Sequence, residues 1–295
     1  LQTDHKKEIV DFFQQAESAG RRFYLNVSSR FSSSMAGTRA GLNTGNSLEY
    51  LDHREYQPGD DIRHIDWNAM ARFDKPTVKL YREEISPHLD LLIDGSASMN
   101  LERTAKGRAL WGMAALIRSA ALNSGYTISL WIIKDRCQKV EPANLPFDKW
   151  PNTDLDFCGN TGKTLVTFPA TLKRQGVRIF LSDLFWSQEP MTVLQYLTRG
   201  AAFLSVVQVL AEFDINPQIS GNQRLIDLES RHALEVVADK SLLETYHTNF
   251  LRHQEYWKKC CVKTGTVYSM CHAEDFAREL LPVELLRNEL LLTRS

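Results

Sequence analysis

The chain carries almost no net charge: 35 Lys and Arg stand against 36 Asp and Glu, a formal balance of −1. That balance excludes the broad basic footprint with which proteins hold nucleic-acid backbones, so no DNA or RNA binding is expected. Long apolar runs are missing too. No stretch approaches the roughly eighteen consecutive apolar residues that cross a bilayer, and no membrane span is expected. Leu1 to Ala19 is mixed polar and apolar, with His5, Lys6 and Lys7, and lacks the continuous apolar core of a signal peptide. Cysteine is sparse. The five thiols are odd in number and form no paired C-x-x-C ligand pattern, so reduced thiols on a buried helix face, the adjacent Cys260-Cys261 included, are the plain reading. These absences together suggest a cytoplasmic protein.

What is present fits a soluble globular chain: 295 residues, 43% apolar and 24% charged, enough to bury a substantial core. Residues 1 to about 19 suggest an amphipathic helix through Ile9, Phe12 and Phe13. The following segment to about Lys79 is irregular, and Thr77 to Glu83 alternates like an exposed strand. We therefore expect a smaller β-rich N-terminal region over 1–85. From Ser86 onward strands and helices alternate, the pattern of a mostly parallel sheet covered by helices on both faces, an α/β domain over 86–285. Six strands are expected: Leu89–Ile93, Thr127–Ile133, a short antiparallel strand near Lys139–Glu141, Ile179–Ser182, Leu204–Leu210 and Val267–Met270. The helices are Ala105–Leu122, Leu165–Lys173, Met191–Arg199 and Leu242–Val262. A hairpin is inserted near 222–238. Trp111, Met113 and Trp131 read as core.

The chemistry concentrates in three loops. The apolar run before Asp94 ends in Asp94-Gly95-Ser96-Ala97-Ser98, which delivers a carboxylate and two hydroxyls to the carboxyl end of a buried strand. Alternate positions on an extended loop point the same way, and such hard oxygen donors suit Mg²⁺, with Mn²⁺ as a second choice. Val177 to Ser182 is another β-rich run, closed by Asp183. Between them lies Gly159-Asn160-Thr161-Gly162-Lys163-Thr164, from which Thr164, or Thr161 in its place, would add a hydroxyl. Taken singly, each motif also reads as a helix cap or strand end.

The constellation resembles the metal-ion-dependent adhesion site of von Willebrand factor A domains, a Rossmann-like fold. By position that resemblance assigns Asp94, Ser96, Ser98, Thr164 and Asp183 as metal ligands, although Leu165 follows Thr164 where the family usually has an acid. Upstream, Arg54-Glu55-Tyr56, Pro58-Gly59-Asp60-Asp61, Arg63, Ile65-Asp66-Trp67 and Ala71-Arg72 resemble the signature of the bacterial family called domain of unknown function 58. The resemblance runs from about Phe31 to about Leu285. It implies a von Willebrand factor A fold downstream and a partnership with a MoxR-type AAA+ ATPase in protein assembly or remodelling. Many members carry membrane helices ahead of this region, and with none evident in this sequence a soluble branch is expected.

The expected function is thus a non-enzymatic, metal-dependent adaptor whose ion accepts an acidic side chain from a protein partner. The rival is a metal-dependent hydrolase or phosphotransferase using Asp94 as nucleophile. Against it, Ser96 stands where a haloacid-dehalogenase-like enzyme would carry a second Asp, and a serine hydrolase would need a final Gly absent after Ser98. The charged residues of the upstream signature read as a network around the Pro58-Gly59-Asp60 turn. An acid/base cluster of Glu55, Asp60, Asp61, His53 and His64 lacks an evident nucleophile.

Overall fold

The computed structural model describes residues 2–27, 48–56, 65–67, 70, 75–83, 87–101, 103–141, 145–151, 153–228 and 231–293. Two compact units emerge: Leu1–Phe31 together with Pro87–Ser295, and Ser32–Ser86. The elements in chain order are α1 (Gln2–Gly20), β1 (Phe23–Leu25), β2 (Leu48–Glu55), β3 (Thr77–Glu83), β4 (His88–Asp94), α2 (Lys106–Asn123), β5 (Thr127–Ile133), β6 (Cys137–Val140), α3 (Thr161–Thr167) and β7 (Val177–Ser182). There follow α4 (Pro190–Thr198), β8 (Phe203–Leu210), α5 (Glu212–Ile215), β9 (Gly221–Ile226), β10 (Ala233–Ala238), α6 (Lys240–Thr264), β11 (Val267–His272), α7 (Ala273–Glu279), α8 (Val283–Arg287) and β12 (Leu291–Thr293).

The large unit is built on a six-stranded sheet of order β11-β8-β7-β4-β5-β6, parallel except for β6. Alternation sends successive side chains to opposite faces. Leu89, Leu91 and Ile93 of β4, with Ile179 and Leu181 of β7, join the core that Leu110, Met113 and Ile117 of α2 complete. Leu92 and Phe180 point the other way, into a second core with Val193 and Leu197 of α4 and Trp257 of α6. The sheet is therefore covered on both faces, and its strands read as near-continuous apolar runs because neither face meets water.

Two expectations need correction. The first helix does not belong to an N-terminal region ending at residue 85. Its buried face, Phe12, Phe13 and Ala16, packs along α2, where an added Cβ on Gly112 would come within 2.4 Å of the Phe12 ring. β1 then pairs antiparallel with β12 at the far end of the sequence. Burial of apolar surface against α2 outweighs closeness in sequence. The second correction concerns the helix expected over 165–173. It starts earlier and is shorter, because the Asn160 side chain accepts the Lys163 amide at 2.8 Å and caps α3 at Thr161.

In the small unit β2 and β3 pair antiparallel, with a register irregularity between Tyr50 and Asp52. The Asp66 amide donates to Thr77 O at 2.8 Å, and Lys75 lies 3.3 Å from Glu55. Asp60, Asp61, Arg63, His64 and Arg72 lie outside the described residues, as do the side chains of His53 and Arg54.

Candidate metal centre

The chain runs from β4 out to β5 on one side and later returns to β7 on the other, so β4 and β7 are neighbours where the strand order reverses. Open α/β sheets bind ligands at this crevice, beyond the carboxyl ends of the two strands. Asp94 ends β4, and Ser182-Asp183 ends β7. The D-x-S-x-S loop is fixed by backbone pairing with the segment ahead of α3: Phe157 N donates to Gly95 O at 3.2 Å and Ala97 N to Phe157 O at 2.9 Å.

Asp94 is wholly buried. Its Oδ1 accepts the Ser96 amide at 2.9 Å and the Thr161 hydroxyl at 2.8 Å, and its Oδ2 accepts the Ser182 hydroxyl at 2.6 Å. Ser96 and Ser98 hydroxyls lie 3.0 Å apart. Asp183 Oδ1 accepts the Phe185 amide at 3.1 Å, and its Oδ2 takes the Lys106 ammonium at 2.8 Å. The same ammonium lies 3.0 Å from Asp214 Oδ2, whose carboxylate also accepts the Ala211 amide at 2.9 Å. Burial, together with repulsion from Asp183, pushes the Asp94 carboxyl up to about 6. Burial also raises Asp214, against the pull of Lys106. Lys106 is raised, because attraction to Asp183 and Asp214 overcomes its own burial.

The structure thus gathers Asp94, Ser96, Ser98 and Asp183 with Thr161. Thr164 sits one turn further along α3, and its hydroxyl makes no hydrogen bond to Asp94. The first residue of the helix faces the sheet end, whereas Thr164 follows the helix away from it. Ser98 is half-buried, while Ser96, Thr161 and Asp183 are almost closed to solvent. Just past Asp183, Leu184 adopts φ 65° and gives its amide to Ser182 Oγ at 2.9 Å. A buried non-glycine residue in this left-handed region marks a strained, over-determined turn.

Sequence reading missed Ser182, Lys106 and Asp214. Ser182 carried a usable signal, since it closes β7 as Asp94 closes β4; Asp214, in α5 just beyond β8, carried a weaker one. Lys106 carried a subtler one: a lysine at the start of an Ala-rich helix opposes the helix dipole and calls for a local partner.

Among the described residues no group of three or more His, Cys, Asp and Glu is arranged to hold a metal by itself. The donor set at β4 and β7 differs in kind: carboxylates supplemented by hydroxyls, which fit a hard divalent cation. Charge counting agrees. Asp94, Asp183 and Asp214 bring three buried carboxylates, and among the described residues Lys106 is the only cation in contact with them. Two negative charges are left over, the charge of one such ion.

The family described as "Protein of unknown function DUF58" matches residues 52–147. Uncharacterized proteins of Mycobacterium tuberculosis and Mycobacterium bovis are each 32% identical over 241 residues, 78% of this chain and 76% of the relative. Among solved structures, conserved hypothetical protein BatB of Bacteroides thetaiotaomicron gives a TM-score of 0.33 at 8% identity, over 66% of this chain and 97% of that one. An aerotolerance-related membrane protein of Bacteroides fragilis gives 0.33 at 8% identity, over 68% and 99%. An uncharacterized membrane spanning protein of Vibrio fischeri gives 0.18 at 15% identity, over 68% and 98%. Similarity this distant carries nothing about the site. The cytoplasmic placement suggested by the sequence is nonetheless corrected: two of these neighbours are described as membrane proteins. No helix among the described residues is long and apolar enough to cross a membrane. That fact does not assign a compartment, since a water-facing domain has the same composition wherever it is held.

Proposed function

We propose that this chain, which belongs to the family of proteins of unknown function DUF58, is a non-enzymatic, metal-dependent adaptor of von Willebrand factor A-like fold. Asp94, Ser96, Ser98, Thr161 and Asp183 would hold Mg²⁺, or Mn²⁺ in its place, and the bound ion would offer an acceptor position to a partner's acidic side chain. The observation that carries this reading is the surplus of two buried negative charges around Asp94, Asp183 and Asp214, beside hydroxyls of the kind that hard cations prefer. Half-buried Ser98 supplies the side from which a partner approaches. The partner class is a protein with an exposed Glu or Asp, and a MoxR-type AAA+ ATPase or its client is the candidate the resemblance suggests. A nucleophilic role for Asp94 is less favoured, because Ser96 stands where a haloacid-dehalogenase-like enzyme would carry its second Asp. Titration calorimetry with Mg²⁺ on the wild type and on Ser96→Ala tests the proposal. A heat of binding that is lost in the variant supports it; equal heats in both proteins would mean that this loop holds no ion.

A further inference from the structure

We propose that Lys106 sets the affinity of this centre for its divalent cation, sharing Asp183 with the ion and retreating toward Asp214 when the ion is bound. The inference rests on the metal-site reading above and adds two residues to it. Lys106 Nζ bridges two carboxylates that come from different strand ends, 2.8 Å from Asp183 and 3.0 Å from Asp214, and its side chain is 1% exposed. Its backbone is fixed as the first residue of α2, with its amide turned toward Thr104 Oγ1 at 3.3 Å. The four-carbon stem is the mobile part, so the ammonium can move between two acceptors while the helix stays in place.

Asp214 is built to receive it. The Ala211 amide fixes its carboxylate, and the Tyr246 hydroxyl of α6 donates to its main-chain carbonyl at 2.5 Å. The face of Phe185 lies 5.5 Å from the ammonium, a further contact suited to a cation. His253 faces the same turn but is engaged with Leu184 O at 3.0 Å. A fully buried ammonium has three donors to satisfy, so two carboxylates also serve its burial; what bears on the ion is which acids they are. Here Lys106 is held by one acid that belongs to the donor set and one that does not, so it competes with the ion at the first and is retained by the second.

The two partners therefore predict opposite effects. Lys106→Met removes the competitor and one positive charge, and Mg²⁺ should bind at least about tenfold tighter. Asp214→Asn removes the resting place, leaves Lys106 on Asp183 alone, and should weaken Mg²⁺ by about threefold or more. Both variants and the wild type are titrated with Mg²⁺ as full chains, and thermal unfolding is followed in EDTA and in Mg²⁺. Lys106→Met should lose Tm in EDTA and recover it in Mg²⁺. If that variant fails to fold without metal, the near-isosteric Asp214→Asn still reads the sign. Wild-type affinity in both variants, or a shift in the same direction in both, overturns the proposal and leaves the metal reading intact. Binding by Lys106→Met alone supports Lys106 as the controlling cation and overturns the adaptor reading of the wild type. No binding by any of the three proteins overturns both.

Discussion

Replacing Asp94 by Asn tests whether the buried carboxyl is a source of instability that a cation relieves. The folded chain holds the Asp94 proton up to about 6, against an ordinary value of 3.8. Between those limits the native state binds more protons than the unfolded state, so this group's contribution to stability is lost as pH rises through the window. Above it the charged carboxylate costs the metal-free fold about 3 kcal/mol, the free energy of a shift of about two pKa units. Asn does not titrate. The difference in unfolding free energy, wild type minus Asp94→Asn, should therefore fall by about 3 kcal/mol from about pH 3, below both limits, to neutral pH in EDTA. Taking the difference cancels the carboxylates that do not interact with Asp94, and leaves the Asp94–Asp183 pair as the source of the change. Urea unfolding across that range measures it, with the slopes compared to check that both proteins unfold alike. Saturating Mg²⁺ should raise the wild type at neutral pH and leave the variant unchanged. A difference that stays flat, or climbs with pH, would show that Asp94 is not held above its ordinary range.

Three further outcomes follow from the same geometry. Thr161→Ala removes a buried donor to Asp94 and should cost about 1–3 kcal/mol and abolish Mg²⁺-induced stabilisation, whereas Thr164→Ala should retain that stabilisation; urea midpoints with and without Mg²⁺ distinguish them. Gly162→Ala places a Cβ about 2.0 Å from Trp186 Nε1, in a ring packed on Phe180 and Trp257, and should destabilise by about 1–3 kcal/mol with a change in tryptophan fluorescence. Gly112→Ala gains about 1 kcal/mol of helix propensity in α2 but pushes against Phe12; faster amide exchange confined to α1 is expected, and unchanged exchange there would refute the seat assigned to Gly112.

Much of the architecture was legible because strands buried on both faces write themselves as apolar runs. β5 was expected over Thr127–Ile133, the span it occupies, and β4, β7, β8 and β11 lie within a few residues of their expected limits. The placement of the D-x-S-x-S loop and Asp183 was legible for a related reason: an apolar run that stops at an acid marks the carboxyl end of a buried strand. What was hidden depends on distance in sequence. Nothing local announces that Phe12 packs against α2 or that Phe23–Leu25 pairs with Leu291–Thr293. β2 was concealed by its charges, since Leu48–Glu55 alternates too weakly to announce a strand. Lys106 was hidden by composition, because lysine is almost always solvent-facing and only a tertiary pair of acids makes its burial tolerable. The choice between Thr161 and Thr164 turned on one cap, Asn160, which sets where α3 begins and therefore which hydroxyl meets Asp94.

The pairing of β1 with β12 has a consequence for how the molecule is made. The first strand of the large unit finds its hydrogen-bonding neighbour only after residues 291–293 have been synthesised, and in sequence the whole of the small unit falls between β1 and β4. Docking of the N-terminal strand is thereby a closing step, deferred until the ribosome has delivered nearly all of this sequence. Clipping the few residues of β12 should free β1, more than two hundred residues away, and leave the six-stranded sheet, to which β1 does not belong, assembled.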